Sequence, residues 1–193
     1  MNIADLPQII VPQRHMDDRG WFSEAFHEQR LQELGITCRF VQDNFSKSRL
    51  KGTLRGLHFQ SPPAAQAKLV GVLSGRILDV AVDLRRESPT FGNHVAAELS
   101  AEAGRQLYIP VGFAHGFMTL EDNTLVMYKV SDYYAPTHDR GIRWNDPDLA
   151  IAWPMGAEVS LSDKDRQLPP LKGFESPFEF DGNPMLGLPV ARL

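Results

Sequence analysis

Polar side chains of several chemical kinds lie close together between Gly52 and Gly75, in the stretch GTLRGLHFQSPPAAQAKLVGVLSG. They are a guanidinium, an imidazole, an amide and an ammonium group, at Arg55, His58, Gln60 and Lys68. Because histidine has an unperturbed pKa of about 6.5, an imidazole here is suited to accept or donate a proton at neutral pH. We therefore expect a pocket that carries out proton chemistry.

A second stretch, from Gly104 to His115 (GRQLYIPVGFAH), completes a recognisable spacing. Together the two stretches resemble the two motifs of the cupins. In metal-binding cupins the first motif supplies two histidines and a glutamate, and the second supplies one histidine. Here Gln60 replaces the second histidine and Lys68 replaces the glutamate, and an ammonium group repels a metal cation. The resemblance implies a small barrel in which His58, Lys68 and His115 face a central pocket without a metal.

Further motifs occur in order along the chain: DDRGWF, GTLRGLHFQ, QAKLVGVLSG, DVAVDLRRESPTFG, LYIPVGFAHGF, YKVSDYYAP, IRWNDPDLAIAWP and LSDKD. Over about residues 17 to 166 the chain resembles the dTDP-4-dehydrorhamnose 3,5-epimerase family (dTDP-4-dehydro-6-deoxyglucose 3,5-epimerases). The resemblance implies an isomerase that needs no cofactor. Its substrate would be a dTDP-4-keto-6-deoxyhexose, inverted at the carbons beside the C4 ketone through an enolate.

Such a reaction requires a base, a group that stabilises the enolate, and an acid on the opposite face of the sugar. By resemblance, His58 is the base and Tyr128 is the acid. Lys68 is then the cation that stabilises the developing oxyanion at O4. The family also orients its base with a carboxylate near the C-terminus, which corresponds to Asp165, with Asp163 in the same LSDKD segment as the alternative.

Other residues are implied to contact the substrate. Arg55 is suited to bind phosphate, while His115 would support catalysis, contact the phosphate or sugar, or be structural. The family exchanges N-terminal strands in a homodimer, so Phe22 would stack on the thymine from the partner subunit. The further substrate-binding positions are Arg19, Glu24, Gln42, Asn44, Tyr134 and Arg143.

Three other functions are alternatives. An epimerase that inverts only C3 or only C5 of a related dTDP-4-keto-6-deoxysugar would use the same base and enolate, so the motifs do not separate it. A non-catalytic cupin that binds a sugar nucleotide would not need the base, cation, acid and carboxylate together. A metal-dependent cupin oxygenase or isomerase is disfavoured by Gln60 and Lys68.

The surrounding segments have β character. Strands are predicted at 8–12, 21–26, 39–45, 66–73, 76–84, 94–99, 106–109, 115–120 and 124–131. Short strands separated by glycine and proline turns favour an all-β, cupin-type antiparallel jelly-roll barrel with one or two short helices. The best helix candidate is 27–34, followed by Gly35, and 46–51 is predicted to be a polar connection.

Two details of the central strands follow from local patterns. The dipeptide Ser74-Gly75 predicts a hairpin that joins segments 66–73 and 76–84. In the second segment, Asp79 and Asp83 lie on the same face because strand side chains alternate. These carboxylates are either solvated or face a pocket.

A chain of 193 residues is long enough for one domain with a substantial core. We expect a single epimerase domain, 1–193, with N-terminal strands and a helix over about 1–45. A jelly-roll core over about 46–154 would follow, then an irregular tail over 155–193. Six of the 14 prolines lie in the last 40 residues.

Composition points to a cytoplasmic protein. The net charge of −4 gives no reason to expect nucleic-acid binding. The N-terminus lacks a signal-peptide pattern, and no apolar run is long enough for a membrane span. The one cysteine, Cys38, cannot form an intramolecular disulfide, which favours a reducing compartment, and we expect it to be a buried small hydrophobic residue.

Overall fold

Two β-sheets packed face to face form the body of the protein. The computed structural model describes residues 5–154 and 158–193. Its strands, numbered in chain order, are β1 (Gln8–Val11), β2 (Arg14–Asp17), β3 (Gly20–Ser23), β4 (Gln42–Ser48), β5 (Leu54–Gln60), β6 (Lys68–Ser74), β7 (Arg76–Asp83), β8 (Arg85–Arg86), β9 (His94–Ser100), β10 (Gln106–Ile109), β11 (Phe113–Thr119), β12 (Thr124–Val130), β13 (Asp139–Gly141), β14 (Phe178–Glu179) and β15 (Val190–Arg192). The two short α-helices are α1 (Glu28–Glu33) and α2 (Asp163–Arg166).

The larger sheet has the strand order β15-β1-β10-β6-β12-β4, and the smaller has the order β13-β5-β11-β7-β9. Neighbouring strands in both sheets are antiparallel, apart from β1 and β15, which run parallel. The pair β2–β3 forms a separate hairpin. Within the described residues, no helix has the length and apolar character needed to cross a membrane. The predicted all-β jelly-roll class with one or two short helices is confirmed.

Apolar side chains fill two layers around the smaller sheet. The layer between the sheets includes Val70 and Val126 from the larger sheet and Ala81 and Phe117 from the smaller one. On the outer face of the smaller sheet, a second cluster contains side chains from β5, β7 and β11 together with residues of the C-terminal part of the chain. Strand β5 is therefore packed on its outer face through Leu54, Leu57 and Phe59, which favours a rigid support for the residues it carries.

The hairpin predicted at Ser74-Gly75 is wrong. Strand β6 pairs with β10 and β12 in the larger sheet, whereas β7 pairs with β9 and β11 in the smaller one. The chain crosses between the sheets at Gly75, whose φ of +80° favours glycine and where a Cβ atom would clash with Thr124. The local pattern signalled the sharp turn, but packing of the two sheets decided which strands pair.

Strand β4 lies three residues later than predicted. It spans Gln42–Ser48 rather than 39–45, because it pairs along its whole length with β12, from Gln42 opposite Val130 to Ser48 opposite Thr124. Half of the predicted polar connection at 46–51 therefore belongs to the sheet. Strand β4 lies at the edge of the larger sheet, where alternate side chains face solvent, so polar residues such as Lys47 are compatible with a strand.

The terminal segments agree with the prediction in part. Helix α1 lies inside the predicted helix 27–34 and is followed by Gly35 in a left-handed conformation, with φ of +88°. The tail contains the short helix α2 but also β14 and β15, which pair with β8 and β1. Cys38 is only half-buried, against an apolar cluster that includes Leu31 and Ile36.

Candidate active site

A cavity of about 320 Å³ opens between the two sheets. Side chains from the smaller sheet, the larger sheet and the α2 segment line it: Phe45, Ser46, Arg55, His58, Lys68, His115, Phe117, Tyr128, Ser162, Lys164 and Asp165. Six of the residues predicted from the sequence therefore meet in one place, although the chain brings them from four strands and one helix.

His58 and His115 face the cavity from adjacent strands. They are directly opposite one another in the pairing of β5 with β11, and the register shifts just beyond this pair. The two backbones approach closely at Gly56, where an added Cβ would lie 2.6 Å from the Cα of Gly116. Because Gly56 also has φ of +123°, glycine is the residue type that allows this approach.

The imidazole of His58 is held by Asp165. Its Nε2 lies 2.6 Å from Oδ1 of Asp165, and a carboxylate can only accept in this bond. Nε2 therefore carries the proton in the neutral ring, which leaves Nδ1 as the basic nitrogen. The His58 side chain is 28% exposed and that of Asp165 is 4% exposed. A base that is accessible to a ligand is thus oriented by a buried partner.

Asp165 is held in an environment that favours its charged form. Burial opposes ionisation, but the hydrogen bonds from His58 and from the Ser162 hydroxyl outweigh it, so the pKa of Asp165 lies below its ordinary value. The Ser162 oxygen also accepts from the Asp165 backbone N–H at 3.1 Å and caps α2. The alternative carboxylate, Asp163, is 98% exposed on the same helix, so it does not orient the histidine.

Lys68 is a buried ammonium group beside the same strand. It is only 8% exposed, and its Nζ donates to the backbone oxygen of His58 at 3.2 Å. Burial lowers the pKa of Lys68 to about 8, while the charges of Asp79 and Asp139 oppose that shift. The group therefore remains largely protonated at neutral pH and provides positive charge inside the cavity.

His115 forms a second, more deeply buried pair with Asp79. Its Nε2 lies 2.7 Å from Asp79 Oδ1. Burial lowers the pKa of His115 although Asp79 opposes the shift. Asp79 and Asp83 were predicted to be either solvated or directed towards a pocket, and solvation is wrong for both. Asp79 reaches a cavity histidine, and Asp83 is completely buried against Arg85, which donates to it at 2.9 Å.

Tyr128 faces the cavity from the larger sheet, opposite the sheet that carries His58. It lies in β12, in register with Asn44 of β4 and Val70 of β6. Burial raises the pKa of Tyr128, and the positive charge of Arg55 only partly offsets this. The phenol therefore keeps its proton at neutral pH and is available as a donor.

An adjoining cavity of about 170 Å³ extends the site and shares His58, Lys68 and Tyr128 with it. Gln42, Asn44 and Tyr134 line this second cavity. The Gln42 side chain donates to Asn44 Oδ1 at 2.8 Å and accepts from the Tyr134 backbone N–H at 3.1 Å. Three further predicted substrate-binding residues therefore lie next to His58, Lys68 and Tyr128.

Gln60 supports the loop beside this second cavity. Its amide donates to the backbone oxygens of Ala64 at 2.7 Å and Tyr133 at 3.1 Å, and its Oε1 accepts from Ala135 at 2.8 Å. Gln60 occupies the position of a metal ligand in metal-binding cupins, and here its side chain instead anchors the loop that carries Tyr134. Among the described residues, no group of three or more His, Cys, Asp or Glu side chains is arranged to hold a metal ion.

The predicted N-terminal residues lie outside both cavities of this chain. Phe22 is 65% exposed on the β2–β3 hairpin. Arg19 pairs with Asp17 in the hairpin turn, and Glu24 pairs with Arg30 at 2.8 Å. Arg143 is exposed and also lines neither cavity. Arg55 does line the main cavity, with its guanidinium 3.3 Å from the Lys47 backbone oxygen.

Sequence reasoning missed several side chains that belong to the site. Lys164 lines the main cavity and forms an ion pair with Asp139, which lines the second cavity. Tyr134 also donates to Asp139, at 3.1 Å. A signal was available for Lys164, which lies between the two carboxylates considered in LSDKD. Phe117 carried no comparable signal, because an apolar residue in a strand usually packs in the core.

The proteins that are similar to this chain in sequence and structure share one family name. The sequence profile of a family described as dTDP-4-dehydrorhamnose 3,5-epimerase matches residues 1–173. A dTDP-4-dehydrorhamnose 3,5-epimerase of Sinorhizobium fredii (strain NGR234) is 47% identical over 180 residues, covering 93% of this chain and 92% of that protein. A crystal structure of the Bacillus anthracis dTDP-4-dehydrorhamnose 3,5-epimerase with TDP and PPi bound is 53% identical, with a TM-score of 0.83, over 86% of this chain and 94% of that chain.

A second solved structure contains a sugar nucleotide. It is dTDP-6-deoxy-D-glucose-3,5-epimerase of Legionella pneumophila in complex with dTDP-4-keto-L-rhamnose. That chain is 51% identical to this one, with a TM-score of 0.84, and the match covers 88% of this chain and 89% of that one. Identity at this level extends over nearly the whole length of both chains.

Proposed function

The chain belongs to the dTDP-4-dehydrorhamnose 3,5-epimerase family, and we propose that the cavity between its sheets carries out the reaction with His58 as base and Tyr128 as acid. The enzyme is an isomerase that converts dTDP-4-dehydro-6-deoxy-D-glucose into dTDP-4-dehydro-L-rhamnose by inversion at C3 and C5. The observation that carries the residue assignment is the placement of an oriented imidazole and a protonated phenol on facing sheets of one cavity.

Proton removal begins at His58. Its free Nδ1 accepts the acidic proton from a carbon next to the C4 ketone, and the positive charge that forms on the ring is stabilised by Asp165. As the C–H bond breaks, the electron pair moves towards O4 and creates an enolate. The Lys68 ammonium group, buried beside His58, stabilises the negative charge on that oxygen.

Proton return completes the inversion. Tyr128 faces the cavity from the opposite sheet, so its hydroxyl proton reaches the enolate carbon on the face that His58 did not deprotonate. The elevated pKa of the phenol keeps it protonated until that step. We assign His115 a supporting role near the sugar or phosphate, because Asp79 holds it in the wall of the same cavity.

The nucleotide end of the substrate requires further contacts. Arg55 is the phosphate ligand, since a guanidinium can donate two parallel hydrogen bonds to phosphate oxygens. Gln42, Asn44 and Tyr134 extend the site along the second cavity. We propose Arg143 as an additional substrate contact on the rim, from its resemblance to the family position.

We also propose that a homodimer completes the site. The hairpin β2–β3 presents Met16, Trp21 and Phe22, each more than half exposed, away from the cavity of its own chain. An exchanged hairpin would bring Phe22 to the thymine of the partner's substrate, with Arg19 and Glu24 beside it. In this proposal the whole chain acts as one domain, and its single cysteine supports a cytoplasmic location.

Incubation of the purified protein with dTDP-4-keto-6-deoxyglucose in D₂O, followed by NMR, tests the function. Deuterium at both C3 and C5 with formation of the L-rhamno product is expected. Deuterium at only one carbon would instead indicate an epimerase of narrower specificity. If dTDP binds tightly and no deuterium enters either carbon, the protein is a binding module and the epimerase assignment is wrong.

A further inference from the structure

The strand that carries His58 is supported from behind by aromatic rings of the C-terminal segment. Phe59 follows His58 in β5, and its side chain points to the opposite face of the sheet, where it is buried. The rings of Phe174 and Phe178 meet it edge to face, with centroid distances of 5.7 and 5.5 Å. Such aromatic pairs have a preferred geometry and resist sliding.

These rings are themselves anchored. Phe178 lies in β14, which pairs with β8 through Phe178 and Arg85. Its backbone N–H donates to the Ser176 hydroxyl at 3.1 Å, and that hydroxyl donates to the Leu84 backbone oxygen. Phe178 therefore connects the end of β7 to Phe59, near the C-terminal end of β5. Both Phe174 and Phe178 lie beyond residue 173, where the family profile ends.

The bond between His58 and Asp165 depends on the relative position of two distant chain segments. The two residues are 107 positions apart in the sequence. Backbone hydrogen bonding ties the start of β5 to the segment before α2, through Leu54 and Ser160 at 2.9 Å. At the other end of β5, beyond that tie, the rings press on Phe59 directly next to the histidine.

We propose that Phe174 and Phe178 are positioning residues that hold β5 so that His58 keeps its contact with Asp165 and its orientation towards Tyr128. This inference rests on the proposed role of His58 as the base. A small displacement of that strand would lengthen a 2.6 Å hydrogen bond and turn the imidazole away from the reacting carbon. Displacements of about 1 Å in an active site reduce turnover by as much as about 100-fold.

The variants Phe178→Leu and Phe174→Leu test this role against Phe180→Leu. Phe180 lies in the same segment, but its ring faces the Arg85 guanidinium at 5.4 Å rather than Phe59. We expect kcat of Phe178→Leu to fall about tenfold while KM and the Kd for dTDP stay close to wild type. Phe174→Leu, at a half-buried position, should show a smaller fall in kcat, and Phe180→Leu should keep the wild-type value.

A spectroscopic readout separates positioning from activity. The downfield imidazole N–H proton of His58, assigned by its loss in His58→Ala, reports the bond to Asp165. It should weaken or shift in Phe178→Leu and stay unchanged in Phe180→Leu. If Phe178→Leu does not fold, Phe174→Leu decides by the same two measurements.

Two results would overturn the inference. One is folded Phe178→Leu protein with wild-type kcat and an unchanged His58 proton signal. The other is an equal loss of kcat in Phe180→Leu, which would indicate a general effect on stability. If the wild-type protein shows no turnover, the proposed function fails, and the proton signal alone then decides whether the rings position His58.

Discussion

At the scale of single residues, the site combines groups whose surroundings keep each one in the protonation state that the proposed mechanism needs. His58 has a free ring nitrogen because Asp165 engages the other one. Tyr128 keeps its proton because burial disfavours the phenolate. Lys68 is buried but remains largely charged at pH 7, since its pKa is about 8. The proposed base, acid and cation therefore coexist in one cavity at neutral pH.

Replacing His58 by alanine should abolish deuterium exchange at C3 and C5, because no other side chain holds a basic nitrogen at that position. Binding of dTDP should survive, since the proposed phosphate and nucleotide contacts lie elsewhere in the site. Exchange is measured by NMR in D₂O and binding by calorimetry. Exchange at a rate near that of the wild type would remove His58 as the base.

Tyr128→Phe should separate proton removal from inversion. The variant keeps His58, so deuterium still enters the substrate from one face. Formation of the inverted product should fall about 100-fold or more, because the donor on the other face is lost. NMR distinguishes substrate that exchanges with retention from inverted product. Inversion at an undiminished rate in Tyr128→Phe would assign the acid to another group.

The charge of Lys68 predicts a dependence of turnover on pH. Its pKa is lowered to about 8, so the ammonium form is present below that pH and is lost as the pH rises through it. Turnover of the wild-type enzyme should therefore decline above about pH 8. Lys68→Arg, which keeps its charge at high pH, should have lower activity but no decline in that range. An identical decline in both proteins would mean that another group titrates.

At the scale of secondary structure elements, a short helix and a strand packed on its outer face bring His58 and Asp165 together. Helix α2 has four residues and is capped by Ser162, and it presents Asp165 to β5. Such a short helix has little stability by itself, so its position depends on what it packs against. Strand β5 provides that support because it pairs with β11 on one side and β13 on the other, and its outer face is packed against apolar side chains.

Asp165→Asn should reduce kcat on the order of 100-fold, because an amide no longer holds the imidazole in the required tautomer or stabilises its positive charge. Asp163→Asn is the matched control: the same change in the same helix at a side chain that is 98% exposed. Steady-state kinetics on both variants, with melting temperatures to verify folding, measure the difference. Equal effects at the two positions would exclude a specific role for Asp165.

At the scale of the whole molecule, the proposed catalytic cavity depends on two sheets that face one another. In the proposed homodimer, the nucleotide site also depends on a hairpin that extends from the body. His58 and Tyr128 lie on different sheets, so the apolar layer between the sheets sets their separation. The hairpin β2–β3 pairs only within itself among the described strands and exposes Trp21 and Phe22. Large exposed aromatic residues of this kind are typical of interaction surfaces.

The proposed homodimer predicts a solution mass of twice the 21.6 kDa chain, measured by light scattering after gel filtration. Phe22→Ser should weaken dTDP binding, because the partner's ring is lost from the thymine site, while the dimer persists through its other contacts. His15→Ser, which changes the ring stacked on Phe22, serves as a control in the same hairpin. A fully active monomer would refute the exchanged arrangement.

Local sequence patterns were sufficient to predict the fold class and most of the residues at the site. The spacing of glycines, histidines and a lysine is local information. Its resemblance to the cupin motifs implied a jelly roll with His58, Lys68 and His115 in one pocket, and all three line the main cavity. Helix α1 was likewise predicted from helix-forming residues followed by Gly35. These features depend on neighbours in the chain, whose periodicity and turn preferences sequence patterns describe well.

The contacts between distant segments could not be read from local patterns and depend on how the whole chain packs. In the folded chain Asp165, rather than Asp163, contacts His58, which is 107 residues away in the sequence. Asp79 is buried against His115. Strands β6 and β7 also lie in different sheets, where a hairpin was predicted. The physical reason is that the sheet a strand joins depends on which apolar faces pack together across the molecule. A local pattern shows which face of a strand is apolar, but it does not show which distant face packs against it.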